Sequence, residues 1–426
     1  MNKAKAQLDR ETYSVFLEAE ELGIQEQVGV LHRNLRKEDL PASFQYVQSW
    51  EAHPGKFMLD PRLDLHSGEQ YPDAGAPGFG IFMDSAPDRW GRMLMERREA
   101  AEADREDREM KVLREVDFLL GVHDITRMGA LRFRKVDGGN FLDDRENAAP
   151  PATSLGELAE ISRKLEEPGV EKLPEYERWL SMLIAPGTSL GGARPKANFT
   201  DLSGTLWFAK FPSKEDRHDV GGWEFLVHQM ARDAGIWVPA SRLEKFGDGY
   251  RTFCVERFDR IGESRRMFVS AMTLLERQDG QAGASYVDLV QLISDQGARN
   301  HINSDLEQLY RRVVFNVLVG NRDDHLRNHG CVRDKTGWRL APAFDMNPNL
   351  YKHEHALTLD GNVAAPSIKA VRDTAEDFYR LTRVQADAIE KQVTDVVKEW
   401  QDRAAQLNMP RFEVQQMTKV FLSGLP

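Results

Sequence analysis

The period of hydrophobic and polar positions changes several times along the chain, and each change marks an element. Residues 27–90 read as β-rich: "VGVLHR" and "FQYVQSW" alternate, and "PDAGAPGFG" is dense in turn residues. From about 88 to 115 opposite charges recur at helical neighbour spacings in "DRWGRMLMERREAAEADREDREMKVLRE", the pattern of a solvated helix. "DFLLGV" and "ALRFRKV" then return to short apolar segments. In "RMGALRFRK" (127–135) Leu131 and Phe133 alternate with Arg132 and Arg134, which predicts a half-buried strand with its polar face in water.

"DDRENAAPPATS" (143–154) has the composition of a linker. Ser154 and Glu157 form a capping-box pattern ahead of the helix "LGELAEISRKLEE". A second helix, around "PEYERWLSMLI", stops at Pro186-Gly187. Ser304 with Glu307 marks another helix start, and Leu306, Leu309, Tyr310, Val313, Val317 and Leu318 share one face toward 320. Two short apolar segments around Asp334-Lys335-Thr336-Gly337 predict a β-hairpin in "GCVRDKTGWRLAP". Residues 370–423 are rich in helix formers with little alternation, so the C-terminal part is mainly helical, and no internal repeat is visible.

Composition narrows the class. A chain of 426 residues is too long for one ordinary core, so two or three domains are expected. No apolar run is long enough to cross a bilayer, and "MNKAKAQLDRETYS" lacks the apolar stretch of an export signal, so a cytoplasmic protein without membrane contact is expected. Cys254 and Cys331, the only cysteines, argue against a disulfide framework or a cysteine zinc site. The net charge of −11 argues against the chain alone coating nucleic acid.

Candidate chemistry concentrates in "NRDDHLRNHG" (321–330). It can be a metal site, a catalytic loop or a polar turn. As a metal site, His325 and His329 would join His353 and His355 of "YKHEH". The i, i+4 pair needs a continuous helix, however, and the Glu of a metallopeptidase helix is missing. As a catalytic loop, Asp323-x-x-x-x-Asn328 has the interval between base and metal ligand of a protein kinase. One carboxylate handles the proton of an attacking hydroxyl, and a neutral carbonyl oxygen reaches Mg²⁺ on the phosphates. The hairpin that follows can return Asp345 of "PAFDMNPN" toward Asn328 as a charged Mg²⁺ ligand. Lys210 ends the alternating strand "TLWFAKFPS", and Glu224 on the following helix can hold its ammonium in position. Upstream, "PGTSLGGARPK" (186–196) is a loop whose backbone amides can cradle phosphate oxygens.

In this order the chain resembles the HipA family of bacterial toxin kinases from type II toxin–antitoxin systems. The resemblance rests on "SLGGARPKA", "WFAKFPS", "VERFDR", "GNRDDHLRNHG" and "LAPAFDMNP", and on "SAPDRWGR" (85–92) and "DFLLGVHDITRMGALRF" (117–133) upstream, and covers about residues 27–360. It implies an α+β, HipA-like, protein-kinase-like two-lobed fold. A β-rich N-terminal subdomain (1–150) precedes a kinase small lobe with phosphate loop and hinge (151–262) and an all-helical C-terminal catalytic lobe (263–426), with ATP between the lobes.

The resemblance implies a serine/threonine kinase using ATP and Mg²⁺. Asp323 is then the catalytic base, and Asn328 and Asp345 are the Mg²⁺ ligands. Ser189, Leu190, Gly191, Gly192, Ala193 and Arg194 form the phosphate loop, with Ser189 the autophosphorylated serine. Lys210 contacts the phosphates, Glu256 and Phe258 lie on the segment holding adenine, and His325 and Arg327 also fall in the ATP site. The implied partners are a HipB-like helix-turn-helix antitoxin and, mainly through it, operator DNA. The implied substrate is a translation component such as an aminoacyl-tRNA synthetase. Arg322 stands where the family commonly has a small hydroxyl residue, a departure that can alter substrate choice. Two other classes stay open: a catalytically silent kinase fold serving as corepressor or scaffold, and a histidine-ligated metallohydrolase.

Overall fold

The computed structural model describes residues 10–35, 40–144, 149–184, 192 and 194–425. Contacts divide the chain into two units with boundaries other than 150 and 262. One unit runs through Ala209 and includes Asp259–Val269; the other comprises Lys210–Phe258 and the chain from Ser270 onward.

The first unit is built on a four-stranded antiparallel sheet ordered β3-β2-β1-β4: β1 Arg10–Ala19, β2 Ile24–Asn34, β3 Ser43–Tyr46 and β4 Leu131–Lys135. The sheet begins earlier than the alternation at 27 indicates, because β1 precedes it. "FQYVQSW" is also only half strand. It leaves the sheet at Tyr46 and turns into α1 (Gln48–Ala52), which buries Trp50. In β4, Leu131 and Phe133 are buried as their alternation predicts, while Arg132 is paired with Asp124 and Glu18.

Helices α2 (Gly80–Ser85), α3 (Arg89–Arg105) and α4 (Glu115–Leu120) lie in the chain between β3 and β4. The charged helix stops at Arg105 rather than continuing to 115. Asp107 takes a left-handed φ of 48°, Arg108 N–H closes on Ala103 O, and the Glu99 carboxylate accepts from Arg108 and from the Lys111 amide. "DFLLGV" is helical because Asp117 turns back to accept the Arg114 amide at 2.8 Å. Arg127, wholly buried, donates to the carbonyls of Leu119, Val122 and Leu142 and fixes the chain between α4 and β4. Helices α5 (Leu155–Leu165) and α6 (Tyr176–Ile184) lie where the pattern puts them. Ser154 makes no side-chain cap, since a 3₁₀ turn at Ala152–Ser154 leads into α5 and leaves Ser154 already helical. Strands β5 (Lys196–Thr200) and β6 (Leu206–Lys210) are neighbours in a second sheet.

In the second unit, α7 (Val220–Asp233) is capped by Asp219, which accepts the Gly222 amide, and is followed by the antiparallel pair β7 (Ser241–Glu244) and β8 (Thr252–Glu256). After α8 (Ala271–Leu274) and α9 (Tyr286–Gln296) comes α10 (Ile302–Val319), the long amphipathic helix. Leu306, Leu309, Tyr310, Val313, Val317 and Leu318 are all buried on it. It starts at Ile302, not at Ser304, whose hydroxyl donates back to His301 O within the first turn. Gly320 ends it with a left-handed φ of 69°, and a Cβ there would sit 2.1 Å from Val420 Cγ1.

The predicted hairpin forms between β9 (Gly330–Asp334) and β10 (Gly337–Leu340), in register Cys331↔Leu340. The stretch from 263 onward is therefore not all-helical: besides this ribbon it holds short strands at Ser264–Arg265 and Phe268–Ser270, the latter a third strand of the ribbon's sheet. Its last helices are α11 (Ile368–Asp373), α12 (Arg383–Lys398), α13 (Trp400–Gln406) and α14 (Arg411–Met417). The buried Glu413 accepts from Trp223 Nε1 at 2.8 Å and from the Asp219 amide, and so locks α14 onto the start of α7.

Two predictions follow from this packing. Leu309→Ala removes a fully buried side chain from α10 and should cost about 2–5 kcal/mol, seen as a lower urea midpoint. Burial pushes both His228 and His355 down to about 4. Each is neutral in the folded protein down to that pH and takes up a proton on unfolding below about 6.5. Stability should therefore fall as pH drops from about 6.5 to about 4 and lose nothing further through these groups below it. His355→Leu should reduce that slope by about one proton in melts run across the window.

Candidate active site

The decapeptide lies between the end of α10 and the start of the hairpin. Its fixed point is Asp324. The buried Asp324 Oδ2 accepts from Tyr286 Oη at 2.6 Å, from His329 Nε2 at 2.7 Å and from Asn316 Nδ2 at 2.9 Å. Burial pushes this carboxyl up, but the His329 ring and the Tyr286 hydroxyl outweigh it and hold Asp324 below the usual carboxylate range. One oxygen thus ties α9, α10 and the first residue of the hairpin approach together.

Asp323, the neighbour, is exposed, and its carboxylate pairs with Lys352. Asn328 is buried at the end of the 3₁₀ turn Leu326–Asn328 and donates through Nδ2 to Asp323 O at 3.4 Å. His325 precedes that turn, exposed, with its carbonyl accepting the Asn328 amide. Arg327 is exposed and pairs with Asp279 at 3.2 Å.

A second set forms around Lys210 at the end of β6. Its Nζ lies 2.6 Å from Glu224 Oε1 and 2.6 Å from Asp345 Oδ1. Burial disfavours the ammonium, yet the two carboxylates push its pKa above the ordinary lysine value, so Lys210 is charged at neutral pH. The predicted Lys210–Glu224 pair is present, and Asp345 joins it. Asp345 holds a left-handed φ of 57°, which L-residues adopt at some cost. The segment before it is anchored by the Ala343 amide on Trp237 O at 2.7 Å. Phe258 stacks on Phe344, next to Asp345, with ring centroids 5.5 Å apart, and Glu256 ends β8 with its amide on Ala240 O.

Of the predicted phosphate loop, Ser189, Leu190, Gly191 and Ala193 lie outside the described residues. Gly192 is exposed, with φ 102°. Its carbonyl accepts at 3.0 Å from Lys196 Nζ, which also pairs with Asp88 in a fully buried ion pair. Arg194 is half-buried.

The histidine reading fails on this geometry. His329 serves Asp324, His355 is buried, and no group of three or more His, Cys, Asp or Glu side chains among the described residues could hold a metal ion. Oxygen donors suited to Mg²⁺ are present instead: the Asn328 amide, the Asp345 carboxylate, and Asn347 Oδ1, a buried atom without a hydrogen-bond partner. Among the described residues no helix is long and apolar enough to cross a membrane.

Sequence reading missed Tyr286, Asn316 and Lys352 around the decapeptide, and the buried Asp88–Lys196 pair. Each acts with a partner remote in sequence, so the only available signals were the doubled Asp323-Asp324 and the Asp of "SAPDRWGR". Arg322 is also reinterpreted. It is 6% exposed, and its guanidinium donates to Lys352 O at 2.7 Å and Ser423 Oγ at 2.8 Å, so it cannot face a substrate directly.

The serine/threonine-protein kinase toxin HipA of Shewanella oneidensis is 27% identical over 232 residues, covering 47% of this chain and 51% of that protein. A relative from Haemophilus influenzae is 26% identical over 180 residues, 37% of this chain and 52% of its own. The chain thus spans about half the length of the curated relatives it matches. A chain from the Shewanella oneidensis complex of HipA, HipB and operator DNA has the same α+β fold. Its TM-score is 0.65 at 18% identity, covering 95% of this chain and 94% of that one. The model of the HipA-like C-terminal domain matches residues 188–407, over half of the chain, and takes in Lys210, Glu224, Asp323, Asn328 and Asp345. By that match this chain belongs to the HipA-like C-terminal domain family.

Proposed function

We propose that the protein is an ATP- and Mg²⁺-dependent serine/threonine protein kinase and the toxin of a type II toxin–antitoxin pair. The observation that carries this reading is the charged Lys210 held between Glu224 and Asp345, in the same unit as the exposed Asp323. Lys210 supplies a fixed positive charge for nucleotide phosphates. Asp323 accepts the proton of a substrate hydroxyl as that oxygen bonds to the γ-phosphorus, while the bond to the bridging oxygen breaks and ADP leaves with the electron pair. Asn328 and Asp345 would hold Mg²⁺, which when bound neutralises phosphate charge. Phe258 and Glu256 would flank adenine, and Gly192, Arg194, His325 and Arg327 are the other residues assigned to nucleotide binding.

The protein partner is a HipB-like helix-turn-helix antitoxin, with operator DNA reached mainly through it. The similar fold in a complex of HipA, HipB and operator DNA supports this, as does the net charge of −11, which disfavours DNA binding by this chain alone. The substrate is a translation component such as an aminoacyl-tRNA synthetase, and the site of action is the cytoplasm.

Incubation with γ-labelled ATP and Mg²⁺ tests the reading. Label should reach protein, and Asp323→Asn should slow its transfer by about 10²–10⁴-fold. No transfer by wild type would leave a silent corepressor as the reading. Ser189 is the expected autophosphorylation site. A phosphate there adds roughly −1.5 to −2 charges beside a loop meant for ATP phosphates, so the phosphorylated protein should lose ATP affinity and turnover. Titrating a stoichiometrically phosphorylated sample with ATP checks this, and undiminished affinity would refute it.

A further inference from the structure

The segment that follows Asp345 returns to the decapeptide and is laced to it at several points. The Asn349 amide donates to Gly320 O at 2.9 Å, Arg322 Nη1 to Lys352 O at 2.7 Å, and the Ala356 amide to Arg322 O at 3.0 Å. Asn349 Oδ1 accepts the amides of Tyr351 and Lys352 and shapes the turn between these anchors. Arg322 is itself braced by Ser423. The result is a mount that sets the Lys352 backbone beside Asp323 and leaves its side chain exposed, with the ammonium on the Asp323 carboxylate.

A stabilising role does not account for this contact. The two side chains are 47% and 56% exposed, and ion pairs so open to water contribute little to stability. The position is chemically informative instead. A general base for phosphoryl transfer must approach both the attacking hydroxyl and the γ-phosphoryl group, so its own negative charge opposes the approach of ATP. A cation carried on that carboxylate offsets the repulsion. A phosphoryl group brought to that carboxylate would also bring its oxygens, where charge concentrates during transfer, within reach of the ammonium.

We propose that Lys352 is a catalytic residue of the kinase: its ammonium bridges Asp323 and the transferring phosphoryl group, and Arg322 is the positioning residue that mounts it. This rests on the kinase reading above. In the step itself the substrate oxygen bonds to the γ-phosphorus, its proton passes to Asp323, and the bridging oxygen departs on ADP with the bonding electrons. Lys352 stays protonated throughout and donates hydrogen bonds to the phosphoryl oxygens. The residue that departs from the family pattern, Arg322, thereby acquires a role one step removed from the substrate.

The test measures transfer of γ-label from ATP to protein by wild type, Lys352→Met, Lys352→Arg and Arg322→Ser, with the Asp323→Asn variant as the inactive reference. Lys352→Met should lower kcat by about 10²-fold while leaving the KM for ATP within a few-fold. Lys352→Arg should recover most of the loss, and Arg322→Ser should fall between wild type and Lys352→Met. Thermal melts should place the Lys352 variants at the wild-type midpoint, since that side chain is exposed. Wild-type transfer matched by Lys352→Met would overturn the proposal alone. Faster transfer by Lys352→Met would also overturn it, by making the ion pair an inhibitory latch. Wild type that transfers no label would overturn the kinase reading and this proposal together.

Discussion

A single buried oxygen organises the candidate site. Asp324 Oδ2 collects donors from Tyr286, Asn316 and His329, and a carboxylate shut away from water is tolerable only with such partners. Meeting that demand brings α9, the last turn of α10 and the approach to the hairpin to one point. Asp323 is the residue before it in a non-helical stretch and therefore projects the other way, into solvent. The doubled acid divides two tasks: one carboxylate holds the loop, and the other is exposed and carries Lys352. Asn328, buried within the same loop, inherits its position from the same anchor.

The second constraint is electrostatic. Lys210 ends a strand with a buried ammonium, and its charge is sustained by Glu224 from α7 and Asp345 from the far side of the hairpin. Asp345 in turn keeps a left-handed backbone that costs of order 1–2 kcal/mol, against which its ion pair and the Trp237–Ala343 hydrogen bond hold it. Three elements that are distant in sequence are thus coupled through one cation. If the proposed nucleotide binds here, its phosphates would meet a positive charge already fixed in place, which would reduce the reorganisation left for binding.

The parts legible in the sequence are those set by neighbours. The apolar face of α10, the hairpin and the Lys210–Glu224 pair each follow from spacing within a short window. The misplaced boundaries have local causes that spacing does not encode: Asp107 turning left-handed, Trp50 drawing a strand into a helix, and a 3₁₀ turn displacing the Ser154 cap. β1 escaped notice because charged residues at its ends and a register shift between Val15 and Phe16 break its alternation. Asp324, Lys352 and the Asp88–Lys196 pair have partners that only the tertiary fold supplies, so no periodicity announces them.

Arg322 shows how a departure from a family pattern is absorbed. A small hydroxyl residue at that position would leave the turn around Lys352 without its guanidinium clamp. Here the long side chain is buried, and its charge is solvated by a carbonyl and a hydroxyl from two remote segments rather than by a carboxylate. An unpaired buried cation of this kind is costly unless its donors are used. The Lys352 carbonyl takes Nη1 and the Ser423 hydroxyl takes Nη2, while the buried Nε has no partner, so the two bonds that solvate Arg322 also fix the 349–356 segment against the decapeptide. The cost of burying the charge and the placement of Lys352 are therefore one interaction, and neither can change without the other.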